Sequence, residues 1–574
     1  MSWYCKLMSL SLLVVLSGQI YATHFQFSGD GSHAELVAQT LRTNAPAAPI
    51  KIDFILSGID LNKDTDGFDA VTVTGLEPLG QIGQPDLYTN GSLIAVPNGF
   101  EPVLTLENRE TQELIGVNIR PNQPKFRCDC EKAKLFAFDS ELYRSNQLFP
   151  SSFLRLEEVG KMQSVKLMRI AIDPLQMNMG AKSLIVTTKL SARVEFKQSG
   201  NAVRSLLPAT LHSMIKAVTV NGESLGNLVT PTRAQEKMLI VTADAYKATI
   251  QPLVDWKTKR GLMVDVVTFT EAGGSKEKVK DYIQKYYNTS AVKPTYLLFV
   301  GNKTTMPAFI EDTEQGDAIS DYNYALLAGD DEIPDVFYGR IIADNEAEVL
   351  HQVNRSVRYE REPEEGAGWY SSAITIASSE GANPSDKEYA EQVREALKKG
   401  TYLTFDAFLQ KEKTATAVNI SKSLMDGKSW LSYFGHGDGE SWGSTNTEFS
   451  VDEVALLENY NRLPVVIDVA CLNADWNNIA KPFGKQWVNS SKNGKETGAV
   501  AFYGGSVTIS WHEPAIMSVG VAKYHFEKPV TSIGGSVMAG QMYLVEKKGK
   551  GKNVIDNMKW YNLFGDPSLV VRTK

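Results

Sequence analysis

The sequence predicts two unlike halves, an all-β body followed by an α/β body whose sheets are mostly parallel. Three observations carry that reading. Up to about Thr232, apolar and polar side chains alternate with period two. After Lys237, short apolar runs alternate with polar, helix-like stretches. Between them lies PTRAQEK, from Pro231 to Lys237, where the texture changes. With 574 residues the chain is long enough for three or four domains.

Residues 1–22 read as a secretory signal peptide. Lys6 supplies the positive charge, Leu7 to Leu16 the apolar segment, and Ala22 a small residue for cleavage. No later stretch approaches the roughly 20 apolar residues that span a bilayer. The expected destination is therefore secreted or cell-surface, with the periplasm as the alternative.

Residues 23–233 carry strand-like runs: IKIDFIL from Ile50, AVTVTGL from Ala70, SLIVTTKL from Ser183 and ARVEF from Ala192. Alternation puts one face of each in a core and the other in water. His24, His33 and His212 are scattered through this half and suggest surface or core roles, not catalysis.

Residues 234–368 form a first α/β lobe, with MLIVTA, LMVDVVTF and TYLLFVG as strands and KEKVKDYIQKYY as a helix. Residues 369–574 form a second, with SAITIASSE, GKSWLSYFGHG, PVVIDVAC and TGAVAFYGGS. These runs are nearly continuous in apolar residues, as expected for strands covered on both faces.

In open α/β sheets, ligands bind beyond the carboxyl ends of the strands. The runs here end in Ser379-Glu380-Gly381, Gly435-His436-Gly437 and Ala470-Cys471. A carboxylate, an imidazole and a thiol make up a thiol hydrolase. An imidazole can take the thiol proton and return it to a leaving amine, and a carboxylate can fix the ring's tautomer. The N–H groups of Gly437 and Cys471 are candidates for an oxyanion hole.

Other chemistries find no support. The balance of 59 basic against 67 acidic residues disfavours nucleic acid as a partner. Four cysteines are too few for a disulfide scaffold, and Cys128-Asp-Cys130 fits no common zinc pattern. No GxSxG elbow, Walker loop or HExxH is present.

The blocks YFGHGDGESWG, LPVVIDVACLNADW and FGDPSLVVRTK resemble the gingipain family of secreted cysteine peptidases, which have the caspase-like fold. VDWKTKRGL, FYGRI, IASSEG and GGSVMAGQMYLVEK match in the same order, from about Lys237 to Lys574. The resemblance implies an α/β caspase-like catalytic domain behind an all-β inhibitory propeptide, and it is greatest to the arginine-specific members. It implies Cys471 as nucleophile, His436 as its base, Glu380 as the carboxylate orienting the His, and Gly437 as oxyanion donor. Trp511 falls at the wall of the specificity pocket and Ala515 where relatives have a larger residue. Asp386 is the nearest candidate for the acid at the pocket floor, with Lys387 or Glu388 as alternatives because this segment is shorter than in relatives.

The same resemblance implies structural calcium at Gly329 to Asp335, with Asp331 and Asp335 as carboxylate ligands and Ile333 as a carbonyl ligand. No cofactor is expected for catalysis. Arg233 sits at the junction, where an arginine-preferring enzyme could release its own propeptide. Arg127, or failing that Lys125, is the candidate to plug the pocket in the latent form. The expected function is a secreted cysteine endopeptidase made as a zymogen and cutting proteins after a basic residue, Arg over Lys. Two alternatives stand beside it: a transpeptidase that processes surface proteins, separated by products with an added amine, and a non-catalytic binding protein on a degenerate peptidase scaffold.

Overall fold

The computed structural model describes residues 22–41, 47–79, 81–124, 136–201, 205–227, 229–231, 236–381, 384–528 and 530–573. The signal-peptide reading, except Ala22, and Lys125, Arg127 and Arg233 lie outside the described residues.

The N-terminal body is built of antiparallel sheets. Its centre is Ser183–Gln198, flanked by Ile50–Leu56 on one side and Phe100–Ile115 on the other. Sequence alternation is realised in Ile50–Leu56: Ile50, Ile52, Phe54 and Leu56 are buried, and Lys51, Asp53 and Ile55 are not. SLIVTTKL and ARVEF, which read as two runs, are one strand. Register shifts at Thr187/Lys189 and Ser191/Ala192 break its alternation. Such bulges reset which face each side chain takes, so the pattern reads as interrupted. A second sheet pairs Val165–Ile172 with both Tyr88–Val96 and Leu154–Met162.

The C-terminal body is one ten-stranded sheet. In chain order its strands are β1 (Lys237–Thr242), β2 (Met263–Thr268), β3 (Tyr296–Val300), β4 (Phe337–Ile341), β5 (Ser372–Ala377), β6 (Thr404–Leu409), β7 (Trp430–Phe434), β8 (Val465–Val469), β9 (Ala501–Gly505) and β10 (Tyr561–Phe564). They lie in the order β2-β1-β3-β4-β10-β9-β8-β7-β5-β6. All neighbours are parallel except β10 and β9. The two expected lobes thus share a continuous sheet. The strand that joins them, β10, comes from the far end of the chain. The central strands are buried along their whole length, which explains their unbroken apolar character.

Three helices frame the site: α1 (Asp386–Lys399), α2 (Glu513–Phe526) and α3 (Ile533–Lys548). Helices α2 and α3 are buried on nearly every side. Glycines let them approach, for a Cβ on Gly540 would lie 2.4 Å from a Val521 methyl and one on Gly520 2.5 Å from Tyr543 Cβ. The N-terminal body shares this core. Leu93, Val165, Leu167, Leu211 and Met214 belong to the same apolar cluster as Val537 and Val545 of α3. Among the described residues no helix is long and apolar enough to cross a membrane.

Burial at the α2–α3 contact has a consequence in acid. His525 of α2 stacks near Trp430, with ring centroids 5.8 Å apart, and its Nδ1 lies 2.7 Å from Ser536 Oγ. Desolvation pushes its imidazole down to about 4. The unfolded chain takes up that proton near pH 6.5, so folding stability is lost as pH falls from about 6.5 to 4, by about 3 kcal/mol in all. His525→Gln is expected to remove that part of the acid sensitivity. The check is denaturant unfolding at pH 7 and pH 4 in a Cys471→Ala background. The variant should lose about 3 kcal/mol less than its parent between the two.

Candidate active site

Strands β9, β8, β7 and β5 are consecutive in the sheet and parallel, so their carboxyl ends open on one edge. Phe434 of β7 is paired with Ala377 of β5 and Val469 of β8. His436 and Cys471 therefore each lie two residues beyond paired positions, and Glu380 lies three beyond. The Gly435 amide still donates to the Val469 carbonyl at 3.1 Å, which keeps the His and Cys chains at ladder spacing.

Past that point the chains stay close because of a glycine. A Cβ on Gly437 would lie 2.6 Å from the Cys471 carbonyl oxygen and 2.8 Å from the Asn473 amide group. Any side chain there would push the two segments apart. Asn473 accepts from the Gly439 amide at 3.2 Å and reaches Asp468 at 3.4 Å. The Trp442 indole donates to Asp468 at 2.6 Å. This buried lattice holds the loop after His436 onto the loop after Cys471.

Cys471 is only 2 % exposed, and its Sγ accepts from the Ile509 amide at 3.4 Å. The next residue, Leu472, has φ +64°. A branched residue in the left-handed region costs roughly 1–2 kcal/mol. The turn is held by the Leu472 amide on the Val507 carbonyl at 3.0 Å and the Ala474 amide on Gly505 at 2.8 Å. The thiol therefore stands at a sharp, strained bend after β8.

Glu380 Oε2 lies 2.8 Å from His436 Nε2. The pair is half-exposed, 46 % for the acid and 36 % for the ring, so water screens it and orientation is its main contribution. Trp511 completes the cluster. Its ring centroid is 6.4 Å from that of His436, edge to face, and its indole lies over Gly381, where a Cβ would be 2.6 Å from Nε1.

Of the three residues considered for the pocket floor, Asp386 is fully buried, while Lys387 and Glu388 are exposed. Glu388 is engaged in a capping box with Ser385 at the start of α1. Asp386 stands in that first turn and accepts from Ser378 Oγ at 2.7 Å. Tyr389, one turn on, has its hydroxyl 2.9 Å from His512 Nδ1, beside Trp511. Ala515 is buried in α2.

The acidic loop is arranged differently from the calcium expectation. Asp335 Oδ1 accepts from the Gln163 amide at 2.6 Å, and its Oδ2 from Leu327 and Ala328 at 2.7 and 2.6 Å. Burial pushes its carboxyl up to about 7 against these three donors. Asp331 accepts from the Lys161 amide at 2.8 Å and from Ile333 at 2.9 Å. Calcium wants six to eight oxygens. Among the described residues no group of three or more His, Cys, Asp or Glu is placed to hold a metal. As arranged, these carboxylates accept from backbone amides, two of them on the Leu154–Met162/Val165–Ile172 hairpin.

Several contributors went unread in the sequence: Ser378, Asn473, the Trp442–Asp468 pair and Leu472. A leucine gives no hint of positive φ. Trp442 lay within a quoted block, but nothing there showed that its indole meets Asp468.

A mostly parallel sheet with a thiol and an imidazole at neighbouring strand ends defines the scaffold of a cysteine peptidase. The chain belongs to peptidase family C25, whose model matches residues 232–572, and the C25 propeptide model matches residues 48–219. It is 26 % identical to gingipain R1 of Porphyromonas gingivalis over 509 residues, covering 86 % of this chain and 50 % of that protein. It thus spans about half the length of that relative. It is similar to the complex of P. gingivalis RgpB pro- and mature domains, with TM-score 0.55, 28 % identity, and 59 % of this chain and 80 % of that one covered. The crystal structure of the Arg specific cysteine proteinase gingipain R (RGPB) is similar at TM-score 0.55 and 29 % identity, covering 59 % of this chain and 79 % of that one.

Proposed function

We propose that the chain is the zymogen of an exported cysteine endopeptidase that cuts proteins after a basic residue, Arg in preference to Lys. The observation that carries the proposal is the Glu380–His436 contact at 2.8 Å, one strand away from Cys471. With Nε2 held by Glu380, proton exchange with the thiol falls to Nδ1. The Cys471 thiolate attacks the scissile carbonyl, and the N–H groups of Gly437 and Cys471 receive the oxyanion. The imidazolium protonates the leaving amine, and water then cleaves the thioester with His436 as base.

Specificity rests on Asp386 as the acid that meets a guanidinium and on Trp511 as the apolar wall along its stem. The similarity to an Arg specific proteinase supports Arg over Lys. Latency rests on residues 48–219, the propeptide match. Asn122, Gln123 and Pro124 line one groove with Ser510, Trp511 and His512. That groove holds the chain beside Trp511 just before Lys125 and Arg127 in the sequence, which supports Arg127, or else Lys125, as the plug. Arg233 is the proposed cleavage point at the junction.

The test is a peptide panel differing only at the residue before the scissile bond, run on processed enzyme. Turnover is expected after Arg, more weakly after Lys, and with none in Cys471→Ala. Asp386→Asn should lower kcat/KM for the Arg peptide by about 100-fold, since it removes one partner of a desolvated charge pair. Efficient turnover after small or acidic residues would overturn the pocket assignment.

A further inference from the structure

The two carboxylates that the proposed function uses, Asp386 for the substrate and Glu380 for the His, are joined through one buried hydroxyl. Ser378 follows the last residue of β5 and is fully buried. Its Oγ donates to Asp386 Oδ2 at 2.7 Å and accepts the amide of Glu380 at 3.1 Å. The Asp386 amide in turn donates to the Glu380 carbonyl at 3.2 Å. Both peptide groups of Glu380 are thus tied to the Ser378–Asp386 pair. The Ser378 amide donates to the Phe434 carbonyl at 2.8 Å, two residues before His436. A bridge between Gly381 and Ser385 closes the loop between the two acids.

A serine hydroxyl has one proton to give, and here it goes to the Asp386 carboxylate. The lone pairs are then turned toward the Glu380 amide, so the direction of both bonds is set. Helix α1 anchors Asp386 by its capped first turn. Glu380, by contrast, projects its side chain into a half-exposed contact. What keeps that side chain on His436 is therefore the hold on its own backbone.

We infer that Ser378 is a positioning residue that fixes Glu380 against His436 and ties that placement to the acid of the specificity pocket. The inference rests on the proposed function and adds a residue to it. Because Ser378 acts through Glu380, its loss lowers kcat, and because it also donates to Asp386, it raises KM for an Arg peptide as well. One buried hydrogen bond is worth about a tenfold change in rate.

The experiment uses processed enzyme carrying Ser378→Ala, Glu380→Gln or both, with thermal melting to confirm folding. Two readouts are taken: kcat and KM on an Arg peptide, and the pH at which iodoacetamide alkylates Cys471 at half its maximal rate. Ser378→Ala is expected to cut kcat about tenfold and to move the alkylation midpoint upward, in the same direction as Glu380→Gln. In the double variant the loss should be no larger than that of Glu380→Gln alone. If Ser378→Ala does not accumulate, Ser378→Cys, close in size and a weaker hydrogen-bonder, is expected to give the same pattern at smaller amplitude. Losses that multiply, or a midpoint moved by Glu380→Gln and untouched by the Ser378 variants, would overturn the inference while leaving the peptidase reading intact. A midpoint that Glu380→Gln itself leaves in place would remove the paired-site reading, and the inference with it.

Discussion

Replacing Cys471 or His436 by alanine is expected to lower kcat/KM on an Arg peptide by roughly 10⁵-fold or more, with the double variant losing no more than either single one. Nucleophile and base act as a unit, so removing one leaves the other without a task. The arrangement behind this expectation is the shared edge of β7 and β8, with Gly437 lying over the Cys471 carbonyl. Glu380→Gln should be far milder, about 10- to 100-fold, because the Glu380–His436 contact is half in water and mainly aims the ring. The measurement is release of a fluorophore from the peptide by processed enzyme, with active-site titration to count competent thiols. Losses that multiply in the double variant would mean that the two residues work separately.

The second large effect is expected from a residue remote from the thiol. Arg169, on the strand Val165–Ile172, is 1 % exposed and donates to the Glu546 and Lys547 carbonyls at 2.7 and 2.9 Å. These carbonyls close the C-terminal turn of α3, the negative end of its dipole. The same guanidinium reaches Glu157 at 2.8 Å and Thr89 at 3.2 Å, so it is fixed before it meets the helix. A Cβ on Gly91 would lie 2.5 Å from its Nε, which leaves Gly91 as the residue that admits it. The propeptide thus caps a helix of the catalytic body with a buried charge. Arg169→Met keeps the stem and removes the donors, and Glu157 retains Arg155 as a partner at 2.7 Å. The complex left after junction cleavage should then dissociate at about 100-fold higher concentration, as expected on truncating one side of a desolvated charged contact. Recovery of activity on dilution measures it, and an unchanged concentration would mean that the shared apolar core alone sets the affinity.

Much of the site was legible because its residues end apolar runs. His436, Cys471 and Glu380 could be placed at strand ends without knowing which strands were neighbours. The join between the halves was not legible. YNLF reads as a short apolar run like many others, and only the folded sheet sets it between β4 and β9. The acidic loop read as a place for calcium because it resembles a segment of the family. Beside local amides, its partners include those of Lys161 and Gln163, more than 160 positions earlier, and no local pattern announces these two. Ser378 was hidden for a related reason. A serine after a strand is common, and its meaning comes from Asp386 folding back over it.

The placement of β10 bears on how the protein can be made. Strands β4 and β9 each keep an unpaired rim until Tyr561–Phe564 arrives, and these residues are made after every other strand of the sheet. A nascent or prematurely terminated chain would present two adhesive borders to other chains. Closure of the sheet is thereby deferred until its last strand has been translated, a form of timing written into topology alone.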